Sequence, residues 1–143
     1  MEMKFKTKIK IINSAECIWR ALTESQFVKQ YMFNSEVDSS WEEGEPVVYY
    51  IMQEGKRIDL VSGKIERIKK VKVLEHSLYP VSAAYPPSEE NHIHVRYTIT
   101  KEEDDGCTLK IEQYGYESAA DGEKRYEDSK NGWKMVLPKL KEV

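Results

Sequence analysis

The carboxy-terminal end of the chain constrains the fold more than any other part. About eighty residues of strand-like sequence, roughly Phe33 to Tyr114, give way to one long amphipathic helix that contains Asn131-Gly132-Trp133-Lys134-Met135-Val136-Leu137. With Trp133 at zero and 100° per residue, Tyr126, Val136, Leu137 and Leu140 fall within about 60° of it and form one apolar stripe. A helix of this kind needs a sheet to lie on, and a sheet that curves around it encloses a space. An unfilled apolar void costs about 24 cal/mol per Å3, so an empty pocket of about 300 Å3 would cost roughly 7 kcal/mol. That rivals the net stability of an ordinary domain, about 5 to 15 kcal/mol. A hollow in such a fold is therefore expected to be kept for use, or to hold water on polar side chains.

The strands read as follows. Met3 to Ile12 sets Phe5, Thr7, Ile9 and Ile11 against Lys4, Lys6, Lys8 and Lys10, a period of two with one wet face. Asn13 precedes Glu16 by three, which fits a capping box for a short helix running to about Thr23 with Ala15, Ile18, Ala21 and Leu22 on one face. Glu24 to Tyr31 reads as a further turn or two of helix. The run Val47 to Met52 is apolar or aromatic at every position, so its pattern leaves Tyr49 and Tyr50 competing for the inward side. Gln53-Glu54-Gly55-Lys56 turns the chain into a strand over Arg57 to Lys69, and Lys70-Val71-Lys72 opens the next strand, through Leu78. Tyr79 to Glu90, with Pro80, Pro86 and Pro87, reads as the one long loop. Ile93, Val95, Tyr97 and Ile99 then alternate with polar residues, Glu103-Asp104-Asp105-Gly106 turns the chain, and Leu109, Ile111 and Gln113 alternate again, which predicts an antiparallel hairpin. The last helix is expected from near Ser118, capped with Asp121, and Pro138 is expected to kink it or fray its last turn.

A chain of 143 residues with 40% apolar residues supports one domain, 1–143, with a sizeable core. Its 22 basic and 25 acidic residues are interspersed, so no basic field exists to draw nucleic acid. No apolar run approaches the length of a membrane span, the amino-terminal residues lack the apolar stretch of a signal peptide, and Cys17 and Cys107 read as free thiols. A cytoplasmic protein without stable membrane insertion is expected.

Several local sequences agree with one known pattern. Ile11-Ile12-Asn13-Ser14-Ala15-Glu16-Cys17-Ile18-Trp19-Arg20-Ala21-Leu22-Thr23, Ser39-Ser40-Trp41-Glu42-Glu43-Gly44-Glu45-Pro46-Val47, Gly63-Lys64-Ile65-Glu66-Arg67-Ile68 and Asn131-Gly132-Trp133-Lys134-Met135-Val136-Leu137 resemble four landmarks of the family that includes the activator of heat-shock protein 90 ATPase. Tyr31, where many relatives have Trp, and Pro138 depart from it. The resemblance implies an α+β helix-grip fold, similar to START and Bet v proteins and to polyketide cyclases: a curved antiparallel sheet of about seven strands, two short helices after the first strand, and the long helix across the sheet. It also implies binding of apolar molecules between sheet and helix. It maps no catalytic motif onto this chain.

The candidate ligand-binding residues are Tyr49, Val95, Tyr97, Ile111, Gln113, Trp133 and Leu137, with Gln113, Tyr97 and Tyr49 as polar handles. His92 and His94 share one face of a strand opposite the apolar row and, like His76, read as surface histidines rather than metal ligands. Glu75 and His76 are adjacent and so point to opposite faces, which excludes a simple dyad. No nucleophile elbow, phosphate loop or paired carboxylates appear, and neither a metal nor another cofactor is called for. Three readings follow: a binder of a small hydrophobic or aromatic molecule; an interaction module for a chaperone or other protein, in which Trp41 and Met135 would form the surface; and a cyclase- or hydrolase-type enzyme using the same pocket. The missing motifs weigh against an enzyme.

Overall fold

The computed structural model describes residues 4–81, 91–102, 106–116, 119 and 122–142. Its elements are β1 (Phe5–Ile11), α1 (Ala15–Thr23), α2 (Ser25–Tyr31), β2 (Glu36–Ser39), β3 (Pro46–Gln53), β4 (Lys56–Lys69), β5 (Val73–Pro80), β6 (Ile93–Lys101), β7 (Cys107–Tyr114) and α3 (Gly122–Glu142). The strands form one seven-stranded antiparallel sheet in the order β1-β7-β6-β5-β4-β3-β2. This is the helix-grip arrangement, with the two short helices directly after the first strand and the long helix last.

Directly paired residues of an antiparallel sheet point to the same side, so the register fixes the two faces. Tyr97 pairs with Leu74 on one side and Ile111 on the other, Val95 with His76 and Gln113, and Ile65 with His76. These side chains form the inner face, and Trp133, Val136 and Leu140 of α3 join them in one buried core with Ile18, Leu22, Val28 and Tyr31 of the short helices. Lysines and acidic residues take the opposite parity and stay on the outer face.

Local chemistry differs from the expectation at four places. Ser14, not Asn13, caps α1: its hydroxyl accepts from the Cys17 N–H at 3.2 Å, while Asn13 Oδ1 accepts from the Ser14 N–H. Lys70, Val71 and Lys72 form a turn instead of opening β5, with Val71 at φ 70°. β5 extends through Tyr79 and Pro80, residues placed in the loop by sequence; Tyr79 is retained in the ladder because it pairs with Ser62. α3 continues through Pro138 for four more residues, so its last turn is not frayed there. The turn 103–105, most of the proline-rich loop and the cap at Ser118 and Asp121 lie outside the described residues.

Two irregularities shape the sheet next to the helix. The β3–β4 register shifts between Tyr49 and Tyr50, where Leu60 is the extra residue of β4. On β3 itself Tyr49 is inward and buried, while Tyr50 lies over the Arg57 guanidinium, 4.2 Å from its ring centre. The β3–β4 turn uses Glu54 and Gly55, both at positive φ (52° and 77°), the pattern of a tight two-residue hairpin. Tyr31 does not bound the hollow under α3; its buried hydroxyl donates to the Ala21 carbonyl at 2.6 Å and ties α2 to α1.

Candidate functional site

Between the inner face of the sheet and α3 lies a cavity of about 400 Å3. The strands contribute Tyr49, Val61, His76, Leu78, Ile93, Tyr97 and Gln113, and α3 contributes Arg125, Ser129, Gly132, Trp133 and Val136. Met32, Phe33 and Ser35, which follow α2, together with Leu60, Pro80 and Asp128 complete the lining. Phe33 and Leu60 are exposed, so the cavity reaches the surface on their side. The α2–β2 corner turns there through two left-handed residues, Phe33 (φ 50°) and Asn34 (φ 61°), and is closed by the Ser35 N–H donating to the Met32 carbonyl at 3.0 Å.

Four of the seven residues named from sequence line this space: Tyr49, Tyr97, Gln113 and Trp133. Val95 and Ile111 share the inner face but are fully buried in packed contacts beside the cavity, and Leu137 is half-buried against the core; none of the three lines it. Strand parity selects a face, not the stretch of that face which the helix leaves uncovered.

His76 is the residue that sequence reasoning misplaced. Instead of lying on the surface it is fully buried in the cavity wall, with its ring between Tyr49 (centroids 5.9 Å apart) and Tyr97 (6.3 Å). The signal was available: Leu74, His76 and Leu78 alternate with Glu75 and Ser77, which puts His76 in phase with two leucines. Its Nδ1 lies 3.0 Å from the Ser77 carbonyl, an acceptor with no proton to give, so the N–H sits on Nδ1 and Nε2 presents a lone pair. The Tyr49 hydroxyl donates to that lone pair at 3.4 Å, near the limit of a hydrogen bond.

Burial sets the charge state of this group. Desolvation lowers His76 from 6.5 to about 4, and it pushes the Tyr49 and Tyr97 hydroxyls above their ordinary range. At neutral pH the three side chains are uncharged, which makes the cluster a set of hydrogen-bonding groups rather than an acid–base pair matched to pH 7. A pH dependence follows. Unfolded His76 takes up a proton as pH falls through about 6.5, whereas the native side chain resists until about 4, so the unfolded state binds more protons in between. The contribution of His76 is nil above about pH 7, costs roughly 3 kcal/mol between pH 6.5 and 4, and levels off below that. Unfolding free energies of wild type and His76→Leu at neutral pH and near pH 4.5 check this: the variant should lack most of that loss, and parallel pH profiles would contradict it.

Two further polar side chains of the lining are held in place. Tyr116 donates to Gln113 Oε1 at 3.0 Å, which leaves the amide nitrogen of Gln113 as the end available to the cavity. Arg125, buried at one end, donates to the Asn91 carbonyl at 2.6 Å. Trp133 meets Tyr97 edge to face, centroids 6.2 Å apart.

The outer face carries charge instead. Tyr114 donates to Glu75, which Arg96 also contacts at 3.2 Å; burial and that hydrogen bond push the Tyr114 hydroxyl up to about 12. Burial alone would raise the Glu112 carboxyl, but the Lys4 ammonium at 3.1 Å, with Lys110 and Arg96, holds it below its usual value. His94 stacks on Tyr114 and its Nδ1 lies 2.6 Å from Glu66; His92 stacks on Tyr79. Among the described residues, no group of three or more His, Cys, Asp or Glu is placed to hold a metal ion, and no helix is long and apolar enough to cross a membrane. Cys17 and Cys107 are not joined to each other. Of the two residues considered for a docking surface, Met135 is exposed, but Trp41 packs half-buried against the core.

Comparison with known proteins agrees with this architecture. ChR145 from Cytophaga hutchinsonii, a solution structure, is 29% identical with a TM-score of 0.71 over 99% of this chain and 94% of its own. MLL2253 from Mesorhizobium loti is 20% identical with a TM-score of 0.73, over 97% and 94%. CalU16 from Micromonospora echinospora is 20% identical with a TM-score of 0.68, over 96% and 71%. The last two likenesses establish the fold alone. No curated protein matches. The model of the family described as activator of Hsp90 ATPase homolog 1-like protein matches residues 13–143. With nearly its whole length matched and the helix-grip order of elements in place, the chain belongs to the activator of Hsp90 ATPase homolog 1-like family.

Proposed function

We propose that this protein binds a small hydrophobic or aromatic molecule in the space beneath α3, in the cytoplasm. The observation that carries the reading is the lining itself: aromatic rings of Tyr49, Tyr97 and Trp133 around about 400 Å3, with only a few fixed polar atoms among them. That combination, a concave apolar wall with a small number of oriented hydrogen-bonding groups, is what a specific small-molecule site requires. Packing an equal volume with side chains would stabilise the domain, so the space is maintained against a real energetic cost.

Gly132 supplies the test. It lines the cavity, lies within α3, and a Cβ placed on it meets no atom within 4 Å. Gly132→Leu should fill the site while leaving the fold unchanged or about 1 kcal/mol more stable, since glycine is a poor helix residue. Titration with the fluorescent apolar probe phenylnaphthylamine should give saturable one-to-one binding to wild type and at least about tenfold weaker binding to the variant. Absence of wild-type binding, or equal binding by both proteins, would overturn the reading.

A further inference from the structure

Resting on that reading, we propose that the guest carries a phenolic hydroxyl, which His76 Nε2 and Tyr49 Oη recognise together. The argument begins with what each polar atom can still do. The Ser77 carbonyl fixes the His76 tautomer and leaves Nε2 as an acceptor on the cavity wall. Tyr49 is its donor at 3.4 Å, too far for a strong bond, and both groups border the same space. An oxygen placed between them could accept from the Tyr49 O–H and donate to Nε2 at once. Only an oxygen that bears its own hydrogen does both: an ether or a ketone accepts from Tyr49 but leaves Nε2 buried without a donor. Gln113 Oε1, another acceptor in the lining, already receives the Tyr116 hydroxyl.

The rings around the dyad choose among hydroxyl compounds. Tyr97 lies against His76 on one side and meets Trp133 edge to face on the other, which presents aromatic walls suited to a flat ring. A cavity of about 150 Å3 admits benzene, so the space here suits roughly two fused or linked rings. A phenol is also a stronger donor than an aliphatic alcohol. It stays protonated beside His76, whose burial leaves it a weak base, so the contact is a hydrogen bond with no proton transfer.

The experiment compares naphthol with its methyl ether, which differ in the hydroxyl hydrogen. Calorimetric titration of wild type should show naphthol bound about tenfold tighter, against the greater hydrophobicity of the ether. In His76→Leu the two should bind within about twofold of each other, with the ether still bound. Nitrogen NMR of the wild-type imidazole gives an independent readout that needs no variant: on saturation with naphthol the Nε2 resonance should move toward that of a more strongly hydrogen-bonded acceptor, and with the ether it should not. Equal binding of both by wild type, or an unmoved Nε2 resonance, would overturn the hydroxyl assignment and leave the cavity reading standing. Failure of both probes to bind would overturn the two together.

Discussion

Gly63→Ala is expected to lower the unfolding free energy by more than about 4 kcal/mol, an unusually large effect for one methyl group. A Cβ at residue 63 would stand 1.8 Å from the Ser77 carbonyl oxygen and 2.6 Å from its carbon. Both are main-chain atoms, so no side-chain rotation relieves the overlap, and β4 must move away from β5. That movement strains the Ser62–Tyr79 and Ile65–His76 pairs on either side and the 3.0 Å bond from the Lys64 N–H to the Ser77 hydroxyl. The position of His76 depends on the same approach, since its Nδ1 donates to the carbonyl that the methyl group would strike. Denaturant titration of the variant measures the effect. A loss below about 1 kcal/mol would mean that β4 and β5 do not come this close.

Trp133→Ala should cost about 3 to 5 kcal/mol, the range for removing a large buried aromatic. Trp133 is 6% exposed, belongs to the main core and contacts Tyr97 across the interface between helix and sheet. Its loss removes an aromatic contact that holds α3 to the sheet and enlarges the cavity at the same time. The neighbouring Met135 is 60% exposed, and Met135→Ala should change stability by no more than about 0.5 kcal/mol. Thermal and denaturant unfolding of the two variants separates a helix that grips through one face from one held diffusely. Similar losses in both would reject the first arrangement.

Much of the fold was legible because two periods are written cleanly. Alternation over Ile93–Ile99 and Leu109–Gln113 specifies the β6–β7 hairpin, and the spacing of Tyr126, Trp133, Val136 and Leu140 specifies which side of α3 faces inward. Where every residue is apolar, as in Val47 to Met52, no alternation exists to read, and the choice of Tyr49 over Tyr50 is made by pairing with β2 and β4. Val71 shows the reverse case: a residue favoured in strands occupies a left-handed turn because the chain must reverse between β4 and β5.

The candidate site was less legible. Inward parity for Val95 and Ile111 was right, yet α3 and the short helices cover that part of the face and leave open the stretch near Tyr49, His76 and Gln113. His76 is in phase with Leu74 and Leu78, but a single polar residue in a short strand with Glu75 and Ser77 beside it breaks the apolar row by which an inner face is recognised. Arg125 and Ser129 carry no apolar signal, because the turn of α3 that bounds the cavity is polar.

The pairing of β1 with β7 sets a timetable for the ribosome. Phe5 finds its partner only at Gln113, some hundred residues later, so at about 5 to 20 residues per second the first strand waits roughly 5 to 20 s for its neighbour to emerge. Throughout that interval Phe5, Ile9 and Ile11 lack their permanent cover. The lysines alternating with them, Lys4 to Lys10, carry like charge that repels other nascent chains, so they guard the protein during synthesis as well as solubilising it afterwards.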